Sequence, residues 1–202
     1  MAYFPFFIVI ENKKILIVGG GNVALRKAEK LVQFGADIVV VAPEICAELE
    51  RLDGVKLIRR RFENNDICTA FAVIAATNDK QLNARIYALC NDLGILVNTV
   101  DDPENCGFYF PALVRKNNVT VGISTGGTSP IFARYLREKI EELLDEKTLA
   151  AGDVLAKYRP LIKQRFPTEE QRKIAAEAVL ERCTESSMTP TDGEIKELVE
   201  AI

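Results

Sequence analysis

Hydrophobic positions along the chain switch repeatedly between the periods of a strand and of a helix. Lys14 to Val18 is a short apolar run that predicts a buried strand. Beyond the GGGN at 19–22, apolar residues recur at helical spacing through Val23, Ala24, Ala28, Leu31, Val32 and Phe34, and Gly35 ends that helix. A β-branched run from Asp37 to Val41 stops at Ala42-Pro43. A helical stretch over about 44–52 then leads through Asp53-Gly54 into a strand from Val55 to Ile58. The alternation continues with a strand over 71–75, a helix over 80–93 closed by Gly94, and a strand over 95–98. Such a series predicts a parallel sheet with helices on both faces, the Rossmann-type α/β class.

After Asp101-Asp102-Pro103 the texture changes. An aromatic patch, Phe108, Tyr109 and Phe110, precedes one further strand over 119–124, and GGTSP opens a long helix with Ser129 as N-cap and Pro130 at N1. From about Thr148 onward the pattern is wholly helical, with polar breaks near Pro167-Thr168 and over 186–192. The expected organisation is a Rossmann-type domain over 1–112, a connecting region over 113–147 and a small helical C-terminal domain over 148–202. The opening MAYFPFFIVIENKK carries Pro5 and lacks both a basic flank and a small-residue cleavage site, so it reads as part of the fold and not as an export signal. No run reaches the roughly 20 apolar residues a membrane helix needs. The expectation is a cytoplasmic protein that does not engage membranes.

Composition narrows the chemistry. Hydrophobic residues at 48% and charged residues at 27% are those of an ordinary globular protein. A formal charge of −3 gives no general attraction to nucleic acid, although Arg59, Arg60 and Arg61 form a local cluster. That cluster either holds an anion or is a solvated strand end. The five cysteines are scattered without a CxxC pair, which argues for buried reduced thiols and against a disulfide framework or a metal site. Histidine is absent altogether. Proton chemistry therefore falls to carboxylates, lysine, tyrosine or cysteine.

The candidate chemistry begins at Gly19-x-Gly21-x-x-Ala24, which directly follows a strand and opens a helix. In that context the first glycine makes the tight turn, the second lets a pyrophosphate approach the backbone, and the small third residue lets helix and strand pack closely. The acidic residue usual at the end of the second strand is missing, because Val41-Ala42-Pro43 stands there, with Glu44 beside it as a substitute. No arginine follows to receive a 2′-phosphate, which favours NAD over NADP.

The chain resembles the N-terminal module of siroheme synthases, the precorrin-2 dehydrogenase and sirohydrochlorin ferrochelatase family. The resemblance rests on ILIVGGGNVALRKAEKL, AATND, NTVDDP, FYFPALV and above all STGGTSPIFARYLREKIEELL. It is continuous over about residues 4–145 and looser in the helical tail. It implies NAD-dependent oxidation of precorrin-2 to sirohydrochlorin, with Asn22, Val23, Pro43 and Glu44 touching NAD and Asp101 as the catalytic carboxylate. Asp102 beside it departs from the pattern in local charge. An acidic base at the carboxyl end of a sheet strand also suits a chain without histidine, since dehydrogenation releases a proton as well as a hydride.

A tetrapyrrole substrate bears many carboxylates, so the resemblance makes Arg115, Lys116, Arg134 and Arg137 candidates to bind them, against the alternative that they face solvent. The aromatic patch either lines a flat macrocycle or is core. GGTSP either binds an anion or only sets the chain reversal. The resemblance further implies a homodimer built from 113–147; with the sequence ending at Ile202, before the methyltransferase module that some relatives carry in fusion, the expectation is that another protein supplies the upstream methylations. Iron insertion stays open, because it needs a base and room for the metal but no ligand cluster. Two rivals remain. An NAD-sensing regulatory domain needs the glycine turn but has no use for NTVDDP and GGTSP together. An NADP-dependent carbonyl reductase wants an arginine after the second strand.

Overall fold

The computed structural model describes residues 4–185 and 190–202, so part of the polar break expected over 186–192 lies outside the described residues. The chain divides into two compact units, Phe6–Phe110 and, with Phe4 and Pro5, Pro111–Ile202.

The first unit is a five-stranded parallel sheet in the order β3-β2-β1-β4-β5. Its strands are β1 (Lys14–Val18), β2 (Asp37–Val41), β3 (Val55–Ile58), β4 (Ala72–Ala75) and β5 (Leu96–Thr99), with helices α1 (Asn22–Val32), α2 (Ala47–Glu50) and α3 (Lys80–Asp92). Successive side chains of a strand point to opposite faces, and here both faces are covered, which is why the central strands read as unbroken apolar runs. On one face Ile15, Ile17, Ile38, Val40 and Ile74 pack with Ala24, Ala28 and Leu31 of α1 and with Leu49 of α2. On the other, Leu16, Val18, Val39, Val41, Val73, Ala75 and Val97 pack with Ile86 and Cys90 of α3. Each such aliphatic side chain contributes about 1.5–3 kcal/mol when fully buried. The chain lays β1, β2 and β3 outward in one direction and then returns to place β4 and β5 on the other side of β1. The carboxyl ends of β1 and β4 therefore flank the switch point where doubly wound sheets open their ligand crevice.

In the second unit, β6 (Ala112–Lys116) and β7 (Val119–Ile123) form an antiparallel hairpin, followed by α4 (Pro130–Leu143), α5 (Glu146–Arg165), α6 (Glu169–Glu185) and α7 (Asp192–Ala201). Ser129 caps α4 and accepts from the Phe132 N–H, as its position before Pro130 predicts. The last three helices share a core of Tyr158, Ile162, Phe166, Val179, Ile195 and Val199 among others. None of the described helices is long and apolar enough to cross a membrane.

Three local expectations need correction. The helix expected over 44–52 is only the single turn α2, because the chain bends at Pro43-Glu44 and packs against the glycine turn, where Cys46, extended, donates its N–H to Gly20 O at 2.8 Å. The single strand expected after the aromatic patch is a hairpin, turned at Asn117 with φ +48°. The cysteines are all free, but only Cys90 and Cys183 are buried; Cys46 and Cys106 are half-buried and Cys68 is exposed.

Candidate dinucleotide-binding and catalytic site

The site of the first unit is built where β1 ends. Gly19 adopts φ +125°, and a Cβ there would stand 2.2 Å from the Ala76 carbonyl oxygen, so only glycine lets β1 turn so close to the end of β4. That proximity is tied by Ala76 N–H donating to Val18 O at 2.8 Å, and Gly19 N–H donates across to Val41 O at 3.0 Å. Gly20 is as crowded on its other side, since a Cβ would lie 2.1 Å from Glu44 O. Gly21 is the opposite case: nothing lies within 4 Å of the position a Cβ would take. Gly21 also N-caps α1, which has no side-chain cap and no acidic residue in its first turn. The N–H groups of Asn22 and Val23 and the positive end of the helix dipole thus face open space, the arrangement that receives a pyrophosphate. Ala24 is fully buried against the sheet, as the third position of the motif requires. Pro43 and Glu44 are exposed just beyond the end of β2. These residues fit the pyrophosphate of a dinucleotide: the turn is closed by backbone at Gly19 and Gly20 and left open at Gly21.

Across the switch point, AATND is fixed by Asn83 of α3, which is buried. Its side-chain amide donates to Thr77 O at 3.0 Å, and its oxygen accepts from Thr77 Oγ1 at 2.7 Å. Asp79 caps α3 by accepting from the Gln81 and Leu82 N–H groups.

The strand β5 delivers NTVDDP to the same edge of the sheet. Asn98 is buried and donates to Phe108 O at 2.9 Å. The Cys106 thiol closes the turn: Thr99 N–H donates to Sγ at 3.2 Å and the thiol donates to Thr99 O at 3.1 Å. Burial pushes the Cys106 thiol above its ordinary pKa, so it is a thiol and not a thiolate near neutrality. The hydroxyl of Thr99 is buried without a partner.

Asp101 sits on this turn in the left-handed region, φ +58°, a conformation that costs an L-residue energy and recurs at functional sites. Its side chain is exposed to the crevice edge and has no hydrogen-bond or ion-pair partner among the described residues. Asp102, by contrast, accepts from Asn105 Nδ2 at 2.7 Å. The two neighbouring carboxylates are therefore distinct: one is held within its turn, the other is free to act.

Of the basic candidates, two of the Arg59–Arg61 cluster are paired with acids: Arg59 with Glu50, and Arg60 with Asp66 through both terminal nitrogens. Lys116 donates to the Glu141 and Leu144 carbonyls at 2.6 and 2.9 Å, capping the end of α4. Arg137 pairs with Glu141 at 2.7 Å, and Arg134 lies 3.7 Å from Glu138 with its side chain largely exposed. Arg115 is exposed on β6. In the aromatic patch, Phe108 and Phe110 pack partly against the α1-side core with ring centroids 5.5 Å apart, while the Tyr109 hydroxyl donates to Pro103 O.

Sequence reasoning missed two residues here. Gly20 was passed over as the variable position of the motif. Lys27 carries no motif signal between Arg26 and Lys30, yet it is half-buried with Nζ 3.8 Å from the Phe110 ring centroid.

The order of strands, the glycine turn and the open helix N-terminus together define a dinucleotide-binding α/β protein. The chain belongs to the family described as Putative NAD(P)-binding, whose model matches residues 6–112, and residues 117–143 match the model described as Sirohaem biosynthesis protein central. Among curated relatives it is similar to the siroheme synthase of Thioalkalivibrio sulfidiphilus, 38% identical over 204 residues, covering 99% of this chain and 42% of that relative. It is similar also to the siroheme synthase of Pseudoalteromonas translucida, 37% identical over 200 residues, covering 98% of this chain and 42% of that relative. The chain thus spans less than half the length of these relatives. Among solved structures, one described as SirC, precorrin-2 dehydrogenase, superposes with a TM-score of 0.76 over 98% of each chain at 22% identity, a likeness of fold.

Proposed function

We propose that this protein is an NAD-dependent dehydrogenase that oxidises precorrin-2 to sirohydrochlorin. The observation that carries the reading is the meeting, at one sheet edge, of an open glycine cradle and an unpartnered carboxylate, Asp101. Likeness to siroheme synthases over nearly the whole chain supports the substrate. Bound NAD would supply the hydride acceptor. Gly19, Gly21, Asn22 and Val23 would hold its pyrophosphate, and Pro43 and Glu44 would meet its adenosine ribose. The absence of an arginine after β2 favours NAD over NADP. The substrate loses two electrons and two protons in all, one proton leaving with the electron pair as hydride. Asp101 takes the other and releases it to water. Arg115, Lys116, Arg134 and Arg137 are the candidates of the second unit for substrate carboxylates; Arg134 and Arg137 already lie beside Glu138 and Glu141, and Lys116 is bonded to the end of α4.

The same reading includes a homodimer and a cytoplasmic setting. All 14 residues of α4 keep some exposure, and Ile131, Phe132, Tyr135 and Leu143 present large apolar area, as a subunit interface would. Sedimentation equilibrium checks it. Five free thiols suit a reducing compartment.

The decisive experiment is anaerobic absorbance during incubation with enzymatically generated precorrin-2 and NAD, followed by ferrous iron. Formation of NADH and sirohydrochlorin by the wild type, lost in Asp101→Ala while NAD still binds, supports the reading. An iron-dependent change faster than the no-enzyme control adds chelation. NAD binding without turnover sinks the enzyme and favours a sensor.

A further inference from the structure

Lys27 is the one residue of the first unit whose charge is out of place. It lies on α1, beside the stripe of Ala24, Ala28 and Leu31 that faces the sheet. Its side chain is half-buried, with Nζ over the Phe110 ring, and it makes no hydrogen bond or ion pair among the described residues. The ring face offsets part of the cost of burying this ammonium and Asp101 acts on it only at a distance, so with no carboxylate at ion-pair distance its charge is open to an anion that arrives from outside.

The surroundings say what kind of anion. Arg26 and Lys30 on its own helix add positive charge, while Asp101 and Cys106 on the turn after β5 face it from the sheet edge. Phe110, with Phe108 tilted against it, supplies an apolar shelf under the ammonium. A cation on the face of Phe110, with Phe108 beside it and Asp101 within electrostatic range, suits a ligand with an apolar body and a carboxylated margin. The pyrophosphate of a dinucleotide is served instead by the Gly21–Val23 backbone at the N-terminus of α1, more than a turn before Lys27.

We propose that Lys27 is a positioning residue for the substrate, whose ammonium binds one peripheral carboxylate of the tetrapyrrole and so holds the macrocycle beside Asp101. This rests on the precorrin-2 reading and adds the contact that orients the ligand. Burial, then Lys30, lowers the Lys27 pKa to about 8, so the ammonium of the free protein is easily lost in mild base. The carboxylates of the ligand stay ionised throughout that range.

The test is equilibrium binding of sirohydrochlorin, the reaction product, by absorbance titration to the wild-type chain, Lys27→Met and Lys27→Arg. NAD affinity and precorrin-2 kinetics are measured on each. Lys27→Met keeps the alkyl stem and removes the charge, and is expected to raise the sirohydrochlorin Kd and the precorrin-2 KM about ten- to a hundredfold, the effect of one charge-assisted hydrogen bond. NAD affinity stays unchanged and kcat moves far less than KM. Lys27→Arg restores most of the binding. In the wild type the Kd rises about tenfold between pH 7 and 9 as the ammonium is lost, and Lys27→Arg removes that rise. The wild-type pH series stands even if Lys27→Met folds poorly. An unchanged Kd in Lys27→Met, a flat wild-type pH series, or a parallel loss of NAD affinity overturns the proposal. A wild type that neither binds sirohydrochlorin nor forms NADH overturns the precorrin-2 reading itself. Turnover with no effect at Lys27 overturns only the positioning role.

Discussion

Two glycines two residues apart in one turn are expected to respond oppositely to the same added methyl group. In Gly19→Ala the new Cβ meets the Ala76 carbonyl at 2.2 Å and the backbone is already at φ +125°. Relief requires β1 and β4 to part at their carboxyl ends, which strains the hydrogen bonds from Ala76 N–H to Val18 O and from Gly19 N–H to Val41 O. Left-handed strain, overpacking and two weakened hydrogen bonds together amount to about 4 kcal/mol. In a unit of this size that lowers Tm by about 20 °C. Gly21, at φ −90° and ψ −172°, is in extended backbone that alanine adopts freely, and its Cβ would touch nothing. Gly21→Ala should therefore leave stability within about 0.5 kcal/mol, or raise it slightly by restricting the unfolded chain. Its methyl group stands where the pyrophosphate must approach, so NAD binding should weaken about tenfold or more. Differential scanning fluorimetry and NAD titration on both variants give the comparison. A Gly21→Ala protein that binds NAD like the wild type refutes the cradle, and an undiminished Tm in Gly19→Ala refutes the packing argument.

Asp101→Gly should raise stability by about 0.5 kcal/mol, because glycine carries no penalty at φ +58°, while abolishing NADH formation; a fall in Tm contradicts the strain assigned to this turn. The hydrogen bond from Arg60, and then that from the Glu63 N–H, holds the Asp66 carboxyl below its ordinary range. A depressed folded pKa means that the contribution is present above about pH 4 and lost as pH falls through the folded value. Arg60→Met should accordingly flatten the acid limb of the urea midpoint below about pH 4; parallel limbs in the two proteins refute the linkage.

The legible parts of the fold are those where sequence period and burial agree. β1, β2 and β3 run from Lys14, Asp37 and Val55 as the pattern predicts: β1 and β2 are apolar runs buried on both faces, and the half-exposed edge strand β3 is marked by Gly54 before it. The pattern overextended α2 because Glu44 to Cys46 look helical by composition, while their backbone is committed to Gly20, a contact between segments that no local rule contains. It missed β6 because the aromatic residues and Pro111 obscure the alternation, though the paired asparagines 117 and 118 between β-branched runs were a usable turn signal. At the site, the glycine turn and Asp101 could be read from motif and position. The separation of Asp101 from Asp102 could not, because it depends on Asn105 folding back onto one of them. Lys27 was illegible for the same kind of reason: its neighbours in sequence are basic and exposed, and only Phe110 takes it out of water.

The thiol of Cys106 joins the two ends of the turn that bears Asp101, bridging to both polar atoms of the Thr99 backbone. The intervening segment, from Val100 to Asn105, is thereby closed at its base like a clasped ring. An engineer could exchange its residues as a cassette, retaining Thr99 and Cys106, and vary the acid presented to the crevice without redesigning the sheet. Alkylating that single sulfur would unfasten the ring while leaving every strand in place.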